Sequence, residues 1–394
     1  MAPNPIDVKS PQGWQTIEAH LPKGYEALAK ENKVLEVQYG DAKIGSASDL
    51  LHLILLHAGA DLGLRQTVTI IAKGGGPDVS HVTLHKKMRL SASYLKALVG
   101  RLAQGTEASP ERWAGYELIA VDGSTFCGPG AETTDARVHL QLRLSDLEIV
   151  GVAIEDRSVG ESFKRFSWHE GQLAVGDRGY ANPPGIAWVV EQGADVMVRV
   201  NRSALPMTTR SGERVDLMQW LRSLRGHSPH ERQVTVWSRE PEREVKGRLI
   251  AMRLPAAEAE KARARVRREL GNKASHIDLE AAQYVVLFTT VLASRMSAAM
   301  CMELYRLRWQ VELAFKRWKS LCHFDRLPNY RDDTILSWLY AKLLLALIMH
   351  HIASGRSPLF PPEEESDDGA TMALDALEGG QHRLAHARRC AAAA

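Results

Sequence analysis

The sequence predicts an α/β protein, with a sheet-forming core preceded by a helical segment. Three observations carry that expectation. Residues 14–104 place apolar side chains at helical spacing behind serine caps. From about Tyr116 the texture changes to short apolar or alternating runs of strand length. After residue 297 the helical period returns and persists to about Ala353.

The bulk numbers narrow the class. With 394 residues, 45% of them hydrophobic and 25% charged, the chain is long enough for two or three domains with real interiors. A net charge of +3 permits a nucleic-acid partner without arguing for one. Cys127, Cys301, Cys322 and Cys390 form no C-x-x-C pair. That speaks against a disulfide framework or a zinc site and fits a reducing cytoplasm. Met1 to Pro11 is polar and proline-rich, unlike a signal peptide. The most apolar run, Leu336–His350, carries Lys342 in its middle. It falls short of the roughly 20 apolar residues a membrane span needs, so a buried helix and no membrane partner are expected.

In chain order, residues 1–110 are expected to form a helical DNA-binding domain. Its helices are Pro22–Lys30, Asp49–Ala60 behind Ser46 or Ser48, Leu64–Lys73 closed by Gly74-Gly75-Gly76, Val82–Arg89 and Ser91–Arg101. Short helices and tight turns suit a bundle of helix-turn-helix character, with a helical cap that touches no DNA as the alternative.

Residues 111–330 carry the core. Glu117–Asp122, Arg137–Leu144 and Ile149–Ile154 read as a three-strand meander. Gln172–Asp177, the helix Pro183–Gln192 with proline in its first turn, and Asp195–Val200 then give strand, helix, strand. That order describes a ribonuclease H-like core. Residues 201–295 interrupt it as a β-rich insertion, with strands Val234–Ser238, Arg248–Leu254 and Tyr284–Val291 and a charged helix Ala256–Leu270. One continuous helix, Ser297–Ser320, closes the core, and a C-terminal helix occupies 331–356. The tail 357–394, with its acidic cluster at 363–368, is expected to be disordered.

Asp122 and Asp177 each end an apolar run. A carboxylate held at the end of a buried strand can share a divalent metal with one from a neighbouring strand. Taken alone, either is more commonly a turn residue that ends a strand. Glu155 and Asp156 also end a strand and are weaker substitutes. On an unbroken helix Tyr305, Arg308, Glu312, Lys316 and Lys319 fall within an arc of about 80°, opposite an apolar stripe. One acid ringed by cations suits phosphates gripped beside a metal ligand. His81 and His85 have zinc-like spacing but no third ligand, and the triple glycine lacks the Lys-Ser/Thr of a phosphate loop.

The segment Y-x2-R-x3-E-x6-K (Tyr305, Arg308, Glu312, Lys319) resembles the signature of bacterial insertion-sequence transposases of the DDE class. VDGST at 121–125 resembles their first aspartate box, VGDRGY at 175–180 their second, and MVRVN around Arg199 the strand that follows. A β insertion ahead of the glutamate helix is also similar, and the resemblance covers about residues 20–350.

It implies cut-and-paste transposition. Asp122, Asp177 and Glu312 would be the catalytic residues and bind two Mg²⁺ ions, with Mn²⁺ able to substitute, for in-line displacement at phosphorus. Tyr305, Arg308, Lys316, Lys319 and Arg199 would hold phosphates of double-stranded DNA at the terminal inverted repeats and the target. Tyr284, 21 residues ahead of Tyr305, matches the aromatic that stacks on a flipped base, although the head of an apolar strand suits a core residue equally. The resemblance also implies a homodimer in the synaptic complex and a nucleoid-associated, cytoplasmic location. Such transposases end in further helix that pairs subunits, where this chain has its acidic tail. An inactive or truncated remnant that only binds DNA is therefore the alternative. A recombinase using Tyr305 as nucleophile is a third.

Overall fold

The computed structural model describes residues 10–36, 44–104, 112–126, 136–156, 160–200, 205–322 and 334–354. The tail expected to be disordered lies outside these described residues.

Six helices come first: α1 (Pro11–Glu18), α2 (Tyr25–Glu31), α3 (Ala47–Gly59), α4 (Leu64–Lys73), α5 (His81–Leu90) and α6 (Ala92–Gln104). Ser10, Ser46 and Ser80 cap α1, α3 and α5 by accepting from the backbone N–H three residues on. Helix α1, with no apolar repeat long enough to announce it, was not anticipated.

A nine-stranded mixed sheet follows. Its strands are β1 (Glu117–Phe126), β2 (Ala136–Arg143), β3 (Ile149–Asp156), β4 (Gln172–Gly176), β5 (Asp195–Arg199), β6 (Met207–Thr208), β7 (His230–Arg239), β8 (Glu242–Arg253) and β9 (Tyr284–Thr289). Their spatial order is β3-β2-β1-β4-β5-β9-β8-β7-β6. The pairs β1–β4 and β4–β5 are parallel and the others antiparallel. Segment 201–295 therefore extends the core sheet, because β9 pairs with β5 and carries β8 and β7 beyond it. Its helices are α8 (Leu217–Ser223), α9 (Ala256–Leu270) and α10 (His276–Ala281).

Alternation along the strands separates two cores. On one face Leu118, Ala120, Val175 and Leu287 pack in a cluster with Leu53, Leu98 and Leu343 from the helices. On the other, Ile119, Val121, Val196 and Phe288 pack with Ile186 of α7 (Pro183–Glu191) and Leu221 of α8. The first cluster crosses the boundary expected near residue 110, so the N-terminal helices form a layer on the sheet. Helix α13 (Thr334–Ser354) lies in that layer. It is long and apolar enough to cross a membrane, yet it is mostly buried within the fold. Lys342, 1% exposed, explains its own burial: Nζ lies 2.6 Å from Asp61 Oδ1 and 4.3 Å from the Trp338 ring centroid.

The helix expected over Ser297–Ser320 is two helices, α11 (Ala298–Arg306) and α12 (Trp309–Cys322). At the break the N–H groups of Leu307 and Arg308 donate to carbonyls only three residues back, those of Leu304 and Tyr305. This tightening interrupts the helix without glycine or proline.

Candidate active site

Strand register sets the two aspartates side by side. Ala120 of β1 is the partner of Val175 of β4, so Asp122 and Asp177, each two residues further on, stand level. Asp122 does not end its strand, as the sequence suggested. Strand β1 continues to Phe126 in its hairpin with β2, where Asp122 pairs with Leu140. Val175 is also the partner of Met197, which brings Arg199 level with Asp177.

Helix α12 supplies the third acid. Glu312 lies in its first turn, where the positive end of the helix dipole favours a carboxylate. The Arg308 guanidinium, placed by the break, forms an ion pair with Glu312. Burial pushes the Asp122 carboxyl up to about 7; the charge of Arg308 opposes this, and Asp177 and Glu312 add to it. Tyr305 is buried beneath, with the Arg308 guanidinium carbon 5.9 Å from its ring centroid. Burial, then the charge of Arg178, pushes the Arg199 guanidinium down to about 10, with Arg308 and Arg265 adding and Tyr305 opposing. Asp122, Asp177, Glu312, Tyr305, Arg308 and Arg199 thus share one electrostatic environment.

Other expected residues stand elsewhere. Lys316 is exposed, its Nζ 4.7 Å from the Trp309 ring centroid, and Lys319 is half-buried in the last turn of α12. The five-residue arc assumed an unbroken helix; the break falls inside it, yet Arg308 still meets both the Tyr305 ring and Glu312, and Glu312, Lys316 and Lys319 share α12. Tyr284 is 8% exposed and packs in the core on the opposite face, so its ring offers no platform to a base. Its place at the head of β9 is that of a core residue. Glu155 lies 3.7 Å from Arg165 Nε, and the Asp156 side chain lies outside the described residues.

The comparisons with known proteins fit this geometry. Residues 113–349 match the family model of the transposase DDE domain. The chain belongs to that family. A putative transposase InsL of insertion sequence element IS186A from Escherichia coli (strain K12) is 28% identical over 368 residues, 91% of this chain and 98% of that protein. The transposase of insertion sequence element IS421 from Escherichia coli is 29% identical over 369 residues, with the same coverage of both chains. The transposase of insertion sequence element IS231F from Bacillus thuringiensis subsp. israelensis is 48% identical over 42 residues, 11% of this chain.

In this member of the transposase DDE family two further charged residues reach the site, and sequence reasoning missed both. Arg178, next to Asp177, is exposed, and its charge acts on Arg199. Glu161 approaches through two glycines. A Cβ on Gly179 would lie 1.6 Å from Glu161 Oε2 and 3.2 Å from Asp177 Oδ1. One on Gly123 would lie 3.1 Å from Glu161 Oε1. Burial raises the Glu161 carboxyl and the charge of Asp177 adds to it, with Arg137 and Arg308 opposing. Glu161 ends no apolar run, so only the glycine close behind each aspartate could have signalled it.

Transposases of this family generally depend on divalent metal and act on DNA. Carboxylate oxygens are the hard donors such ions take, and the glycine cradle that a Cβ would fill keeps two of the acids in reach of each other. Among the described residues no three His, Cys, Asp or Glu side chains are close enough to hold one ion as they stand. The cation that Glu312 meets in this conformation is Arg308.

Proposed function

We propose that this transposase catalyses cut-and-paste transposition of an insertion sequence. It would bind the terminal inverted repeats of its element as duplex DNA, cut the strands and join the 3′ ends to target DNA. The observation that carries this is the placement of Asp122 on β1 and Asp177 directly after the parallel strand β4, beside the Arg308–Glu312 pair. The strand order β3-β2-β1-β4-β5, a meander followed by parallel strands, supports a ribonuclease H-like core.

Asp122, Asp177 and Glu312 would hold Mg²⁺, with Mn²⁺ as a substitute. A divalent cation held there supplies Lewis-acid charge that activates the attacking oxygen and stabilises the leaving one. Arg308 would exchange Glu312 for a phosphate oxygen when DNA arrives, as a guanidinium fork suits. Arg199 and Tyr305 would orient the same phosphate, and Lys316 and Lys319 would meet the backbone further along α12. The N-terminal helices would bind the transposon ends, a homodimer would hold the two ends together, and the cytoplasm would be the place of action.

Excision of a marked mini-element built from the DNA flanking the gene tests the reading. Wild type should excise and Glu312→Gln should not. Equal excision by both would remove Glu312 from the chemistry.

A further inference from the structure

Two glycines open a path for a carboxylate that the signature motifs do not include. The bare hydrogens of Gly123 and Gly179 admit the two oxygens of Glu161, and the Gly179 position is shared with Asp177 Oδ1. The approach is fixed by the backbone as well. Asn182 Nδ2 donates to the Glu161 carbonyl at 3.1 Å, while Asn182 Oδ1 caps α7 by accepting from Gly185 N at 2.9 Å. Residue 161 is thereby tied to the helix that follows the second aspartate.

Two carboxylates brought together repel unless a cation lies between them or one takes a proton. Of the two cations whose charge acts on Glu161, Arg308 is committed to Glu312, and the other is Arg137. We propose that Glu161 is a fourth carboxylate of the divalent-metal pocket, acting on the Asp177 side. This rests on the metal-dependent reading above.

The test is Mn²⁺ binding by the full chain, measured by calorimetry for wild type, Glu161→Gln and Asp177→Asn, together with melting in EDTA. Glu161→Gln should bind Mn²⁺ at least about 10-fold more weakly. In EDTA it should melt no lower than wild type, because a repulsive contact has been relieved. A lower melting temperature in EDTA would mark Glu161 as a structural acid and overturn the proposal. Wild-type Mn²⁺ affinity in Glu161→Gln, with affinity lost in Asp177→Asn, would overturn it and leave the metal-dependent reading standing. A wild type that binds no Mn²⁺ would overturn both.

Discussion

Arg308, at the break between α11 and α12, forms an ion pair with Glu312 in the first turn of α12, and the same guanidinium charge lowers the cost of ionising Asp122. The pair is largely sheltered, with side chains 12% and 28% exposed. Arg308 is therefore the countercharge of the acids while no other cation serves them. Arg308→Ala should lower stability in EDTA by about 2 kcal/mol, below the range for a fully buried pair because this one is partly solvated. Mg²⁺ should restore part of that loss by replacing the missing positive charge. Melting curves in EDTA and in Mg²⁺ check this, and an equal deficit in both would sink it.

His139 makes the fold acid-sensitive. It is fully buried, its Nδ1 2.8 Å from the Tyr180 hydroxyl, and burial, then the charges of Arg165 and Arg137, push it down to about 4. The unfolded chain, with a value near 6.5, takes up the proton first. Stability from this group is thus present above pH 6.5 and lost as pH falls towards 4, up to about 3 kcal/mol. Urea unfolding across that window should show the loss. His139→Asn, which keeps a polar atom for Tyr180, should flatten it.

The regular elements were legible where period and punctuation agreed. Helices α4 and α9 have the expected bounds, because glycine closes the first and Pro255 precedes the second. Asp122 and Asp177 were legible because each follows a buried apolar run. The break at Leu307–Arg308 was not, since no glycine or proline marks it and only three-residue hydrogen bonds reveal it. Tyr284 was ambiguous in sequence, and the opposite-face core decided it. Glu161 was hidden because a loop residue declares its neighbours only through the fold.

The glycine of the second box predicts a coupling. Gly179→Ala would set a Cβ 1.6 Å from Glu161 Oε2, too close for any real contact, so the carboxylate must move. Excision should fall at least about 10-fold, the scale of losing a group that supports metal binding. Replacing Glu161 with Ala first removes the clash, so adding Gly179→Ala to Glu161→Ala should cost much less than it does alone. Additive losses in this double-mutant cycle would show that the two positions act independently.

Arg248 connects the sheet to the glutamate helix. It is 2% exposed on β8, and its guanidinium donates to the carbonyls of Val291 and Met296, each at 2.8 Å, and to Glu231 Oε2 at 2.6 Å. Those carbonyls bracket the turn from β9 into α11, ahead of the break that aims Arg308 and Glu312. Arg248→Met keeps most of the volume but removes every donor, leaving buried acceptors unpaired at about 3–5 kcal/mol. Arg248→Lys keeps the charge without the fork and should recover only part of this. Because the lost bonds hold α11, the Lys variant should bind transposon-end DNA nearly as wild type while excising more slowly. Urea unfolding and a paired gel-shift and excision assay measure the two effects. An Arg248→Met variant within about 1 kcal/mol of wild type would show that the turn holds its position without the arginine.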